Sequence, residues 1–152
     1  MTAHNTRSRS TGFSLIEVLI ALVIMSVGML GIASLYVQSM QAGRTSLLRH
    51  NAVTLASDVA DRIRANPTGG IDYTNPGADS GCVATGADCT ATEMAFHDVF
   101  LWRQQAQESL PDGDVEITYD DTVTPPEYSI AIVWNEPGQP QNYTVTIPVP
   151  AF

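Results

Sequence analysis

Apolar residues fall along this chain in three rhythms, and each predicts a different element. From Val18 to Val37 run twenty residues without a formal charge, interrupted only by Ser26, Ser34, Tyr36 and the small Gly28 and Gly31. At a rise of about 1.5 Å per residue this is roughly 30 Å of helix, the thickness of a bilayer core, so the pattern predicts a membrane-inserted segment. The rhythm then changes: Leu48, Ala52, Leu55, Ala56, Val59, Ala60 and Ile63 recur at spacings of three and four, the stripe of an amphipathic helix. No proline occurs between Phe13 and Pro67, and Asn66, preceding that proline, is pushed out of helical geometry. One helix of about fifty residues, roughly 80 Å long, is expected to join the two patterns.

Thr68 to Thr90 is rich in Gly, Asp, Asn, Thr and Pro with little periodicity, and is expected to be an ordered but irregular loop. A second helix is expected from about Thr92 to Leu110, with Ala95, Val99, Trp102, Ala106 and Leu110 facing the core and Pro111-Asp112-Gly113 ending it. At that helical spacing Trp102 reads as a core aromatic rather than a binding one. The third rhythm is alternation. Val115, Ile117 and Tyr119 alternate with Glu116, Thr118 and Asp120, and Tyr143, Val145, Ile147 and Val149 alternate with polar residues, each signalling a strand with one wet face. Tyr128 to Trp134 is apolar on both faces near its middle and is expected to be the central strand. Asn135 to Gln141 (NEPGQPQ) is expected to be a turn-rich connection, and Pro148 to mark a strand end or edge. The sum is an α+β layer arrangement, a long N-terminal helix packed on a small antiparallel sheet of three to four strands.

Charge sharpens the picture at the N-terminus. Glu17 places a carboxylate at the mouth of the apolar run, where burial in lipid costs roughly 2.5 kcal/mol or more, so it is a functional candidate. The leader before it carries Arg7 and Arg9, and its small residue, Gly12, precedes the apolar region instead of following it as in a secretory signal. Cleavage after Gly12 would remove both arginines yet leave the helix attached, with a new amino group on Phe13 and a negative charge at Glu17.

The segment GFSLIEVLIAL, with Gly12 last in the leader, Phe13 first in the mature chain and Glu17 fifth, resembles the class III signal of type IV pilins and their relatives. The resemblance implies cleavage by a prepilin peptidase and N-methylation of Phe13. It also implies packing of the helices into a filament, where the Glu17 carboxylate neutralises a neighbour's terminal amine. Charges that are costly alone in lipid become tolerable when paired. It divides the chain into a leader (1–12), a transmembrane and filament-core helix (13–37), an amphipathic continuation (38–66) and an exported part (67–152), and places the mature subunit in the bacterial inner membrane and the pilus.

Near the helix end, Asp58 with Arg62 and Asp61 with Arg64 have spacings for surface ion pairs. The wording DRIRAN (Asp61 to Asn66) is similar to a segment of the PilV-type minor pilins. That resemblance implies a subunit that joins other minor pilins and the major pilin, primes assembly and sits at the tip, in adhesion and twitching motility. It leaves open a connection to a large tip adhesin. A minor pseudopilin of a type II secretion system shares GFSLIE and the long helix, and remains the alternative. The exported compartment makes Cys82 and Cys89, with six residues between them, a disulfide closing a short loop.

Other functions find little support. After Gly12 the side chains comprise five Arg against sixteen acids, a balance of minus eleven, which disfavours a nucleic-acid partner. There is no Gly-rich phosphate loop and no GxSxG, and His4, His50 and His97 lack metal spacing, so no enzyme, metal or cofactor is expected. Asp112, Asp114, Asp120 and Asp121 lack an EF-hand pattern and read as solvated hairpin edges. Nothing in the sequence recommends a ligand-binding domain on a plain membrane anchor.

Overall fold

The computed structural model describes residues 12–84 and 88–149. The expected leader, residues 1–12, lies outside the described residues apart from Gly12. The chain divides into two compact units, Met1–Ala42 and Gly43–Phe152.

Helix α1 runs from Leu15 to Ala65 and so contributes to both units. It stops at the residue before Asn66, whose φ of −122° and ψ of 66° lie outside the helical region that a following proline disfavours. In the first unit the helix residues are all exposed, and Ser26 donates from its hydroxyl to the Leu22 carbonyl, so that hydroxyl is satisfied within the helix. In the second unit the expected stripe from Leu48 to Ile63 is buried at every position.

The second unit is built around that stripe. Helix α2 (Ala91–Ser109) starts with a capping box: Thr90 Oγ1 accepts from the Glu93 amide, and Glu93 Oε2 accepts from the Thr90 amide at 2.9 Å. The amide bond from Thr90, reinforced by its hydroxyl, holds the Glu93 carboxyl below the usual range. Three strands, β1 (Asp114–Asp120), β2 (Glu127–Glu136) and β3 (Gln139–Pro148), form one antiparallel sheet in the order β1-β2-β3. Ile117, Ile130 and Val145 share one row across it, and Val115, Ile132 and Tyr143 the next. Trp102 and Tyr73 stack with ring centroids 5.8 Å apart inside the core that α1, α2 and the sheet enclose. The long helix packed on a three-stranded antiparallel sheet is the architecture expected of a type IV pilin, and β2 is the central strand.

Two local expectations are corrected. Residues Pro67–Thr74 are not irregular but form a 3-10 segment, started by Pro67 and broken at Gly70 (φ 47°). It escapes the periodicity test because its eight residues carry only one buried large side chain, Tyr73. The connection expected over Asn135 to Gln141 shrinks to a tight turn at Pro137-Gly138, and the ladder continues through Asn135↔Pro140 and Glu136↔Gln139. Gly138 supplies the positive φ (97°) that a turn with proline at its preceding position requires. Pro140 is tolerated because β3 lies at the sheet edge, where a missing amide breaks no pairing on its open side.

Candidate functional site

The first candidate is the start of α1. Gly12 and Phe13 precede the helix in exposed, non-helical backbone, and Phe13 is 82 % exposed. Ser14 provides the first helical carbonyl, accepting from the Glu17 amide at 3.1 Å and the Val18 amide at 3.3 Å. Glu17 therefore lies in the first turn, where its negative charge complements the positive end of the helix dipole. Phe13, ahead of the helix, and Glu17, in its first turn, both line a shallow groove with Val18, Ala21, Leu22 and Met25. The arrangement is a single acceptor of positive charge set in an apolar strip. It has the chemistry of a contact site for a cation.

The second candidate lies at the other end of α1, in the DRIRAN segment. Both expected ion pairs form, Arg62 Nε to Asp58 Oδ2 at 3.3 Å and Arg64 Nη1 to Asp61 Oδ1 at 3.0 Å. Arg62 also donates from Nη1 to Asp98 Oδ1 at 2.9 Å, and that carboxylate is only 4 % exposed. Tyr73 donates its hydroxyl proton to Asp98 Oδ2 at 3.3 Å, and the Trp102 indole N–H donates to Asp58 Oδ2 at 3.0 Å. Asn66 completes the cluster by donating to the Ala91 carbonyl at 2.8 Å and to the Tyr73 hydroxyl at 3.1 Å. Partial burial opposes the charge on Arg62, but the hydrogen bond to Asp98 and the charges of Asp58 and Asp98 outweigh it and raise its pKa. Burial pushes the Tyr73 phenol up to about 12, against the lowering effect of the Asn66 hydrogen bond and with further help from the Asp98 charge. The cluster ties α1, the 3-10 segment and α2 together; its partners are used up internally, so it is a clamp and not an open site.

Sequence reasoning missed Asp98 and Tyr73. One signal was available: Asp98 lies three residues after Ala95 and four before Trp102, so a charge interrupts an otherwise apolar helical stripe. Such a residue needs a buried partner.

Cys82 and Cys89 form a disulfide, in the loop that leads from the 3-10 segment to α2. Gly77 (φ 80°) lets that loop press on α2, since a Cβ there would come within 2.6 Å of the Phe100 amide nitrogen. His97 is buried beneath it, with Nδ1 3.3 Å from Asp79 Oδ1 but out of hydrogen-bonding alignment. Among the described residues no group of three or more His, Cys, Asp or Glu side chains is arranged to hold a metal ion.

Comparison with known families agrees with this geometry. Residues 7–33 match the family described as the prokaryotic N-terminal methylation motif, and residues 34–100 match the family described as type IV pilin Tt1218. No curated protein and no solved structure matches the chain.

Proposed function

We propose that the chain is a type IV pilin, a minor pilin of the PilV kind, processed by prepilin peptidase between Gly12 and Phe13 and N-methylated on Phe13. Residues 13–37 span the inner membrane and later enter the filament core, residues 38–66 continue the helix, and residues 67–152 are exported to the periplasmic side. The family is structural, and its members work by assembly. The role is to join other minor pilins and the major pilin in a priming complex at the inner membrane and to remain at the pilus tip, in adhesion and twitching motility. A large adhesin is a further partner to be sought there.

A single observation carries this reading: the first part of α1, whose apolar residues are exposed, presents one carboxylate, Glu17, in the same groove as Phe13. Exposed apolar area of this extent needs lipid or other helices around it. A buried carboxylate needs a cation, and the terminal amine that cleavage creates on a neighbouring subunit supplies one. DRIRAN and the cysteine pair support the pilus assignment over a type II secretion pseudopilin.

Intact mass of the chain from its native membrane tests the processing: loss of residues 1–12 with one added methyl is expected, and an unprocessed mature chain overturns it. Deletion of the gene is expected to reduce surface pili and twitching. Impaired exoprotein release with normal pili would transfer the chain to the secretion system.

A further inference from the structure

Two arginines of α1 flank a carboxylate without pairing with it: Thr45 donates to Glu136 Oε2 at 2.9 Å. Arg62, Arg64 and Arg103 each pair with carboxylates of their own unit. Arg44 and Arg49 are exposed on α1 and, among the described residues, enter no ion pair, although acids outnumber arginines sixteen to five after Gly12.

Their place along the helix is informative. Val18 to Gly43 is a run of 26 residues without formal charge, closed by Glu17 on one side and Arg44 on the other. At about 1.5 Å per residue this is about 39 Å, which matches a bilayer with its headgroup layers and exceeds the hydrocarbon alone. Tyr36, 68 % exposed, comes at the end of the apolar core, the level at which amphipathic rings settle, and Gln38, Ser39 and Gln41 follow. Arg44 therefore falls at the far headgroup layer.

Side-chain direction brings Arg49 to the same layer. Helical side chains tilt toward the N-terminus, so both arginines lean back toward the apolar segment. Arg49 lies only five residues, about 7.5 Å of rise, beyond Arg44, and a long stem lets its guanidinium reach toward the polar layer. Five residues also turn the helix by about 140°, so the two guanidinium groups point to different sides. A single docking face on a protein partner would meet one of them, whereas headgroups on the sides of the helix left open by the β2–β3 turn, which docks at Thr45 through Glu136, can reach both. The planar guanidinium fork suits phosphate oxygens in particular.

Resting on the reading that residues 13–37 span the membrane, we propose that Arg44 and Arg49 form a phosphate seat that holds the acidic exported unit on the headgroups of the outer leaflet. The ligand is the phosphodiester of membrane phospholipid. The seat counteracts the repulsion between an anionic leaflet and a unit whose side chains otherwise carry excess negative charge.

The test uses the processed full chain, with labelled arginines, in vesicles of phosphatidylethanolamine and phosphatidylglycerol in phosphate-free buffer. Solid-state NMR then measures dephasing of the guanidinium carbons by lipid phosphorus, and an alkaline wash establishes insertion independently. Dephasing is expected in the inserted wild-type chain, with most of it lost in R44Q/R49Q and retained in R64Q, whose exposed pair with Asp61 lies outside the Asp98 clamp. Absent dephasing in an inserted chain, or equal dephasing in R44Q/R49Q, overturns the seat while leaving the membrane reading intact. Contacts from these two guanidinium groups to carboxylates of a second chain, in place of phosphorus, overturn it in favour of an acidic protein partner. Release of the chain by the wash removes the membrane reading, and the seat with it.

Discussion

The two halves of α1 share one backbone and make opposite use of their apolar side chains. In the first unit Leu30 is 72 % exposed and Ile32 69 %; in the second, Leu55 is 1 % exposed and Val59 is fully buried. The difference lies in the pattern, since an all-round apolar surface cannot be covered by one small sheet, whereas a stripe can. The second half is completed by its own chain, and the first has to be completed by something outside it. A chain divided in this way can fold its second unit before its helix finds neighbours.

The contrast is tested most severely by truncating a large side chain in each unit. Trp102→Ala should destabilise the second unit by about 4 kcal/mol, through lost burial and the cavity it leaves beside α1. Leu30→Ala in the first half should leave the unfolding midpoint of that unit unchanged, as measured by denaturant titration of the full chain in detergent. A shared loss would mean that the halves are energetically one.

Asp98→Ala comes next, with an expected cost of about 2 to 3 kcal/mol, the range for losing hydrogen bonds to a buried charged group when the partner arginine is half-exposed. Asp98→Asn should recover part of that in the same titration, because an amide oxygen still accepts from Tyr73 or Arg62. Cys82→Ser should cost about 2 kcal/mol, the chain-entropy value for so short a loop, and should shift the melting curve of the second unit alone. Coincident melting of reduced and oxidised protein would count against this.

Glu17→Ala sharpens the comparison from the other side. The variant should be cleaved at Gly12 and melt like wild type, yet enter filaments or the priming complex poorly, because a neighbour's terminal amine stays unpaired in apolar surroundings. Quantitative immunoblotting of sheared pili against whole cells checks this, and normal incorporation would refute the charge-pairing role.

The smallest effect expected is an alkaline one. Tyr73 holds its proton to about 12 in the folded chain, above the ordinary value of 10.0. Above pH 10 the unfolded chain has lost a proton that the folded chain keeps, so stability falls as pH rises through about 12. The slope contributed by this one group stays below about 1.4 kcal/mol per pH unit. Tyr73→Phe should flatten the difference between stability curves at pH 9 and pH 11, pH values chosen to straddle the ordinary tyrosine range.

Much of the architecture was readable in advance because its signals are local. The stripe from Leu48 to Ile63, the stop at Asn66-Pro67, the second helix and the alternation in β1 and β3 each arise from neighbours within a few positions. What escaped reading depends on distant partners. Asp98 meets Arg62 across 36 residues and Tyr73 across 25, and no periodicity links them. The turn at Pro137-Gly138 was masked by an excess of turn formers, of which the sheet uses only the central pair. Pro140 was misleading for the same reason, since its acceptability depends on β3 being an edge strand.

The amino-acid order alone determined the division of α1 into an all-apolar and a striped half, and the placing of Glu17 and Phe13 at its start, because helical period and charge position are properties of the chain itself. The tertiary structure decided which acids were buried, which arginines were engaged and which left free, and how far the strands ran. Those outcomes rest on the low-dielectric contacts and pairings that exist only once separated segments have been brought together.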